Sequence, residues 1–290
     1  MLVWSKIISA NEQSSIEERF LNMGQTNAVI RKLSGSEKLH IEVYLKNKKE
    51  AQILKKELGG KVNKLEYKNW AKINASSNRP LIKIRDKILI TDNSDAKQIN
   101  KIKRQYPKKI VISIPAALAF GTGDHATTST CLRMLVDIAK EYQKGNEKWS
   151  FCDIGLGTGI LPITASLMGA FKVEGFDFDP EAIAIAKRNV IINLRNKINI
   201  YEQDLFDWSP KKGASWNVIT ANIFANVLNP NLKKIWNRVA DNGYLLLSGI
   251  LEEHHNSVLQ TAQKNGLPVP KLYCKGKWVS FKFNKNYLKI

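Results

Sequence analysis

From Trp149 onward the chain alternates short apolar runs with stretches in which apolar residues recur every three or four positions. The short runs at 151–154, 171–176, 198–201, 216–221 and 244–248 predict strands. The periodic stretches at 159–168, 180–193, 224–239 and 251–264 predict helices between or beside them. Two closing runs, 269–274 and 278–283, are joined through Lys275-Gly276-Lys277 and predict an antiparallel hairpin. Strand–helix alternation of this kind is the mark of an α/β fold with an open, mostly parallel, Rossmann-like sheet.

The front of the chain has a different rhythm. Residues 3–9 predict a strand and 14–23 a helix ending at Gly24. Runs at 28–33 and 39–45 flank the turn Ser34-Gly35-Ser36. A charged helix over 48–58 is stopped by Gly59-Gly60, and 62–67 follows as a strand. The order β-α-β-β-α-β is that of a small α+β ferredoxin-like domain. A stretch rich in Asn, Ser and Pro comes next (74–80), then a short hairpin over 81–90, a basic segment over 97–109 and a strand at 110–114. The expected organisation is a domain at 1–66, a linker with a small hairpin at 67–112, and the α/β domain at 113–290.

Composition adds bounds to this picture. A chain of 290 residues suits one large domain and one small one. No run approaches the eighteen or so apolar residues of a membrane-spanning helix, so no membrane association is expected. The N-terminus has no charged leader region and enters a strand pattern at once, which speaks against a signal peptide and for the cytoplasm. The three cysteines (Cys131, Cys152, Cys274) are far apart and form no C-x-x-C, so reduced thiols are expected and no metal site. The net charge of +19 is uneven: residues 1–112 carry 24 Lys and Arg against 11 Asp and Glu. A basic front segment suits an acidic partner, nucleic acid or a ribonucleoprotein above all. It is equally the signature of a lysine-rich proteome with solvated surfaces.

The candidate chemistry lies in three segments. In the first, Asp153-Ile-Gly-Leu-Gly-Thr-Gly159, the glycines fall at the tight turn between a strand and a helix, where the backbone must bend sharply and a ligand can come close. About twenty residues on, Gly175-Phe-Asp-Phe-Asp-Pro180 places Asp177 at the end of the next strand, where a carboxylate can accept hydrogen bonds from both hydroxyls of a ribose. The dinucleotide fingerprint requires a third glycine at position 160, which is Ile160, so the turn is not built for a pyrophosphate. An ordinary glycine-rich strand–helix turn is the alternative. The second segment, Ala119-Phe-Gly-Thr-Gly-Asp-His-Ala-Thr-Thr128, precedes a helix over 129–142 that Thr127 or Thr128 would cap. The third, Thr220-Ala-Asn-Ile-Phe-Ala225, puts Asn222 at the carboxyl end of the fourth parallel strand. Strand ends of this kind line the crevice in open α/β folds.

Together Phe120-Gly-Thr-Gly-x-His125-x-Thr-Thr128, Asp153-x-Gly-x-Gly-x-Gly-Ile-Leu161, Gly175-x-Asp-x-Asp-Pro180, Ala221-Asn-Ile223 and Leu247-Ser-Gly-Ile-Leu251 resemble the PrmA family. These are class I S-adenosyl-L-methionine-dependent methyltransferases that act on the eleventh protein of the large ribosomal subunit. The motifs span about residues 115–251; over 1–66 only the element order matches. The resemblance implies a seven-stranded, mostly parallel sheet with a C-terminal antiparallel hairpin, preceded by a ferredoxin-like substrate-recognition domain. It implies S-adenosyl-L-methionine as cofactor, and Thr128, Gly155, Gly157, Asp177 and Asn222 as the residues that contact it. Asp177 would hold the ribose, and the Gly155 turn would face the amino-acid end. Asn222 would sit at the methyl-transfer face as the catalytic residue, and Asp204 would approach the adenine amine. No dedicated base is required; His125 is either a base or a loop-ordering residue, and His254-His255 reads as solvated. The implied reaction is methyl transfer to lysine or N-terminal amines of a ribosomal protein, by a monomer, with contact to ribosomal RNA a further implication of the basic front segment. An RNA methyltransferase, or a cofactor-binding ribosome assembly factor with little activity, are the other readings of the same motifs. Ala126, Leu156 and the Ile-Phe-Ala run after Asn222 depart from the family's commoner residues without removing any of these contacts.

Overall fold

The computed structural model describes residues 2–23, 28–32, 37–45, 47–64, 80–115, 123–194 and 198–285, in two units, Met1–Asn78 and Arg79–Ile290. In the first unit β1 (Leu2–Ser9) and β3 (Lys38–Leu45) pair antiparallel along their full length, Leu2 opposite Leu45 and Ser9 opposite Lys38. β2 (Ala28–Lys32) and β4 (Lys61–Lys64) flank them in the order β2-β3-β1-β4. That order, with helices Gln13–Asn22 and Lys48–Leu58 between the strands, is the ferredoxin-like arrangement. The second helix starts where Asn47 accepts a hydrogen bond from Glu50 N at 2.8 Å, and it stops at Gly59, whose φ is 69°. Its buried face, Ala51, Leu54 and Leu58, completes a core with Trp4, Ile8, Ile16, Phe20, Ile41 and Val43. Trp4 Nε1 donates to Gly59 O at 2.6 Å, so the largest core side chain also satisfies a carbonyl at the helix end. The turns at Gly24 and 34–36, the last residues of the strand expected at 62–67, and most of the linker expected at 74–80 lie outside the described residues.

The second unit opens with a three-stranded sheet, β5 (Ile82–Ile84), β6 (Ile88–Thr91) and β7 (Ile110–Ser113), in that order. The segment expected to connect two domains is in fact part of this core. Ile84, Ile88, Ile90 and Ile112 are fully buried against Leu132, Leu135 and Ile138. The hairpin at 81–90 is present, but β6 then runs parallel to β7 through a helix, Ala96–Gln105, within the segment whose sequence shows only its basic character. Asp95 caps it, accepting from Lys97 N at 3.2 Å. The helix is easy to overlook because four of its ten residues are basic, and its apolar stripe is just Ile99 and Ile102.

The large sheet contains β8 (Ser150–Ile154), β9 (Lys172–Asp177), β10 (Asn199–Glu202), β11 (Trp216–Asn222), β12 (Val239–Leu251), β13 (Lys271–Lys275) and β14 (Trp278–Asn284). Their order is β10-β9-β8-β11-β12-β14-β13. The first five are parallel, and β14 is antiparallel to both of its neighbours. This is the seven-stranded class I methyltransferase sheet with its C-terminal hairpin. From β8 the chain winds outward first through β9 and β10, then returns to add β11 on the other side, so the strand order reverses between β8 and β11. Ligands of open α/β sheets bind at such a switch point, beyond the carboxyl ends of the strands.

Alternate residues of the strands face opposite layers. Phe151 and Val218 pack with helices Ala126–Lys144 and Ile160–Leu167, while Cys152 and Ile219 pack with helix Ala225–Trp236 and, through Val258 and Ala262, with helix His255–Lys264. The helix expected at 224–239 ends at Trp236, and the helix expected from 251 starts at His255 after a short 3-10 turn. Strand β12 takes up the difference at both ends. Gly243 permits its irregular start, because a Cβ there would lie 2.7 Å from Asn217 O. At its other end Leu251 pairs with Trp278.

Candidate active site

The glycine turn is fixed from below by strand β9. Gly155 N and Leu156 N both donate to Phe176 O, at 2.9 and 3.1 Å, and Gly159 N donates to Leu156 O at 2.8 Å. Gly155, Gly157 and Gly159 all have positive φ (71°, 53° and 77°), which explains three glycines in five residues. Gly155 is constrained by space as well: a Cβ would stand 2.5 Å from Ile223 Cγ2. The turn after β8 and the turn after β11 therefore touch, with Gly155 against Ile223.

Asp177 closes the turn from the side. Its Oδ2 accepts from Gly157 N at 3.0 Å and its Oδ1 from Asp179 N at 3.1 Å. The carboxylate is buried, and burial pushes its pKa up against the backbone donors of Gly157, Asp179 and Phe178, which favour the charged form. A carboxylate offers about four acceptor sites, so these backbone donors do not exhaust the group's capacity to accept. Asp179 in turn caps helix Pro180–Asn193, accepting from Glu181 N at 2.9 Å.

Asp153, the first residue of the glycine motif, is a site feature as well. Asp153 is fully buried, its Oδ1 accepts from Thr220 Oγ1, and its Oδ2 has no partner among the described residues. Burial, reinforced by the nearby Asp177 charge and partly offset by the Thr220 hydroxyl, pushes its pKa up to about 8. Nothing in the sequence distinguished this carboxyl from a surface one, because its burial comes from two other strands and their helices.

Asn222 ends β11, beside Ser248 of β12. Its Nδ2 lies 3.5 Å from Thr128 Oγ1, a long donor contact, and its Oδ1 is buried with no partner among the described residues. Gly249 makes room for this strand end: a Cβ there would sit 3.0 Å from Ile223 O and 3.1 Å from Ile223 N. Thr128 belongs to the first turn of helix Ala126–Lys144 and does not cap it. The cap is His125, whose Nδ1 is 2.8 Å from Thr127 Oγ1 and accepts from Thr127 N at 3.4 Å. The His125 ring stands edge-on to Trp278 at 5.2 Å, and its burial depresses its pKa. These contacts make His125 a residue that orders the helix entry.

The structure thus joins Asp177 to Gly157 by a hydrogen bond, and Asn222 to Thr128 by a long one. The contact of Gly155 with Ile223 links the two pairs. Asp204 is exposed after β10, where its Oδ1 accepts from Phe206 N at 2.8 Å and the adjacent Gln203 N donates to Asp177 O at 2.9 Å. Two residues that no sequence motif singles out stand at the same strand ends: Phe178 and Phe206 are 68% and 56% exposed, directly after Asp177 and just beyond Asp204. Large apolar rings left in water beside polar strand ends suit a flat ligand. The loop residues Phe120, Gly121 and Thr122 lie outside the described residues. Among the described residues no group of His, Cys, Asp or Glu could hold a metal ion, and no helix is long and apolar enough to cross a membrane.

The family described as ribosomal protein L11 methyltransferase (PrmA) matches residues 5–286. The chain belongs to the PrmA family. Curated relatives include a ribosomal protein L11 methyltransferase of Staphylococcus saprophyticus, 31% identical over 59% of this chain and 52% of the relative. Another, from Agathobacter rectalis, is 31% identical over 64% of this chain and 58% of the relative. The chain thus spans only about half the length of the curated relatives it matches. Among solved structures, a ribosomal protein L11 methylase from Lactobacillus delbrueckii subsp. bulgaricus superposes with a TM-score of 0.56 at 22% identity, covering 70% of this chain and 97% of that one. The fold is shared at that distance, and the PrmA match takes in both units described above.

Proposed function

We propose that this PrmA-family chain transfers methyl groups from S-adenosyl-L-methionine to lysine or N-terminal amines of ribosomal protein L11, in the cytoplasm and as a monomer. In this reading the ferredoxin-like unit recognises the protein substrate and the second unit carries the chemistry. The observation that carries the reading is the buried, unpartnered Asn222 Oδ1 at the switch point of the sheet, beside Thr128 and across Ile223 from the glycine turn. An acceptor buried without a donor costs free energy, about 1–3 kcal/mol, unless a ligand supplies the N–H. A substrate amine supplies one.

The residues present fit the cofactor. The turn presents three glycines in five residues, so its backbone carries no side chain that would hold a ligand away. Asp177, Gly155, Gly157 and Thr128 would hold it, Asp177 through the ribose, with Phe178 and Phe206 as apolar walls for adenine and Asp204 near its amine. The cofactor supplies a methyl group already activated by a sulfonium centre. The chain's own task is to present a neutral amine, although a lysine titrates near 10.4 and an α-amine near 8 in water. Asn222 accepts one amine N–H and so orients the nitrogen lone pair. Burial around the strand ends disfavours the ammonium form. With the nucleophile held in line, positioning alone supplies up to about 7–11 kcal/mol of the barrier reduction, so no dedicated base is needed.

The test is to incubate the protein with methyl-labelled cofactor and, separately, L11 from its host and ribosomal RNA. Label is expected on amines of L11, at a rate that rises with pH as amines lose protons. In Asn222→Ala cofactor binding is expected to persist while transfer falls. Asp177→Ala should weaken cofactor binding by about 1.5–3 kcal/mol in calorimetry. Label in RNA alone would replace this reading with RNA methylation, and unchanged cofactor affinity in Asp177→Ala would remove the ribose assignment.

A further inference from the structure

The net positive charge of this chain has a definite focus in the fold. Helix Ala96–Gln105 and the turn that follows carry Lys97, Lys101, Lys103, Arg104, Lys108 and Lys109, with no acidic residue between positions 96 and 109. Lys97, Lys101 and Arg104 stand four and three residues apart, on one face of the helix, and all three are exposed, as are Lys103 and Lys108. The steps between them along the helix axis are about 6 and 4.5 Å. Lys109 is engaged, its Nζ donating to Asp86 O. The nearest acids, Asp92 and Asp95, lie before the helix, and Asp95 is committed to its cap. No ion pair joins these five exposed cations to a carboxylate among the described residues.

An amphipathic basic helix has two common uses, lying on an anionic membrane or holding a polyanion in water. The membrane use requires a free apolar face. Here that face is spent: Ile99 is buried with Leu89 and Val111, and Ile102 and Tyr106 pack onto the same cluster. What remains outward is polar and cationic. The arginine adds a planar donor fork suited to phosphate oxygens, and the lysines add point charges along the same line.

We propose that the exposed face of helix Ala96–Gln105, extended by Lys108, is a binding surface for the phosphodiester backbone of RNA, sequence-independent and carried by the second unit itself. This surface does not depend on the transferase reading, since none of its residues touches the candidate active site. It gives a protein that acts on a ribosomal component a second, electrostatic handle, drawn from the abundant RNA around that component.

The experiment uses the full chain and a fluorescently labelled single-stranded RNA of twenty nucleotides, with anisotropy read over a series of salt concentrations. Three variants are compared with the unmodified chain: Lys97→Gln/Lys101→Gln/Arg104→Gln, the same substitutions with Arg104→Lys in place of Arg104→Gln, and Lys48→Gln/Lys55→Gln/Lys56→Gln on the exposed side of helix Lys48–Leu58 in the first unit. The last removes the same charge elsewhere. Loss of three phosphate contacts should lower the slope of log K against log salt by about 2. The expected result is at least a tenfold loss of affinity in the first variant, partial recovery in the second and little change in the third, with thermal melting alike in all. Equal losses in the first and third variants would overturn the proposal, since net charge alone would then explain binding. It would also be overturned by RNA affinity unchanged in the first variant, or by binding to phosphatidylserine vesicles with none to RNA.

Discussion

At the scale of single residues the site is governed by crowding and by burial of charge. Gly155 has both a left-handed backbone and no room for a side chain, so Gly155→Ala is expected to destabilise the protein by about 1–3 kcal/mol in urea unfolding. Adding Ile223→Ala relieves the contact at 2.5 Å but leaves the backbone strain, so the double variant should recover only part of the loss. Full recovery would mean the conformation itself costs nothing. Asp153 gives a pH-dependent counterpart. An aspartic acid in water titrates near 3.9, whereas here burial raises the folded value to about 8. Between those values the folded state holds a proton that the unfolded chain gives up. The contribution of Asp153 to stability is therefore fully present below the unfolded value and is lost as pH rises through the folded one. Asp177, raised in the same direction, adds to the trend. Asp153→Asn keeps an oxygen for the Thr220 hydroxyl and removes the titration, so its melting temperature should fall less than that of the unmodified chain between pH 5 and pH 8. Parallel melting curves across that range would show that Asp153 is ionised when folded.

At the scale of elements the small sheet is completed by a side chain. The outer edge of β7 is met by Asn193 from the end of helix Pro180–Asn193. Asn193 Oδ1 accepts from Ser113 N at 2.7 Å, and its Nδ2 donates to Ser113 O at 2.6 Å. The amide thus bonds Ser113 as a neighbouring strand would, and it ties the three-stranded sheet to a helix of the large one. Asn193→Asp keeps the acceptor, loses the donor and sets a carboxylate against a carbonyl, so a destabilisation of about 1–3 kcal/mol is expected by chemical denaturation. Asn193→Gln, which keeps both groups but misplaces them, should not restore stability. An unperturbed Asn193→Asp would mean that this edge is satisfied by water.

At the scale of the whole molecule the two units have separate cores, one built around Trp4 and Leu54, the others on the two faces of the large sheet. Separate cores predict separate folding. A chain beginning at residue 79 should melt cooperatively and bind the cofactor in calorimetry, yet fail to methylate L11. Full transfer by that fragment would place substrate recognition in the second unit. Loss of folding would show that the first unit supports the second.

The local features of the sequence decided much of this. The strand–helix alternation after Trp149 and the β-α-β-β-α-β order before it depend on periods of two and 3.6 and on turn residues, so both folds were legible. So was the placement of Gly155, Gly157, Asp177 and Asn222 at or just after strand ends, each read from its own strand and turn. What only the tertiary structure decided is what depends on neighbours far along the chain. Residues 67–112 read as a linker with a small hairpin because the helix within them has four basic residues and only a two-residue apolar stripe, and only the burial of that stripe against Leu89 and Val111 makes it part of a core. Thr127 and Thr128 read as caps because hydroxyls commonly are, whereas the chain enters the helix one turn position earlier and His125 takes the role. Asp153 reads as one more carboxylate. Its proton is set by the strands and helices that close over it and by an aspartate twenty-four positions away, and no local pattern records that desolvation.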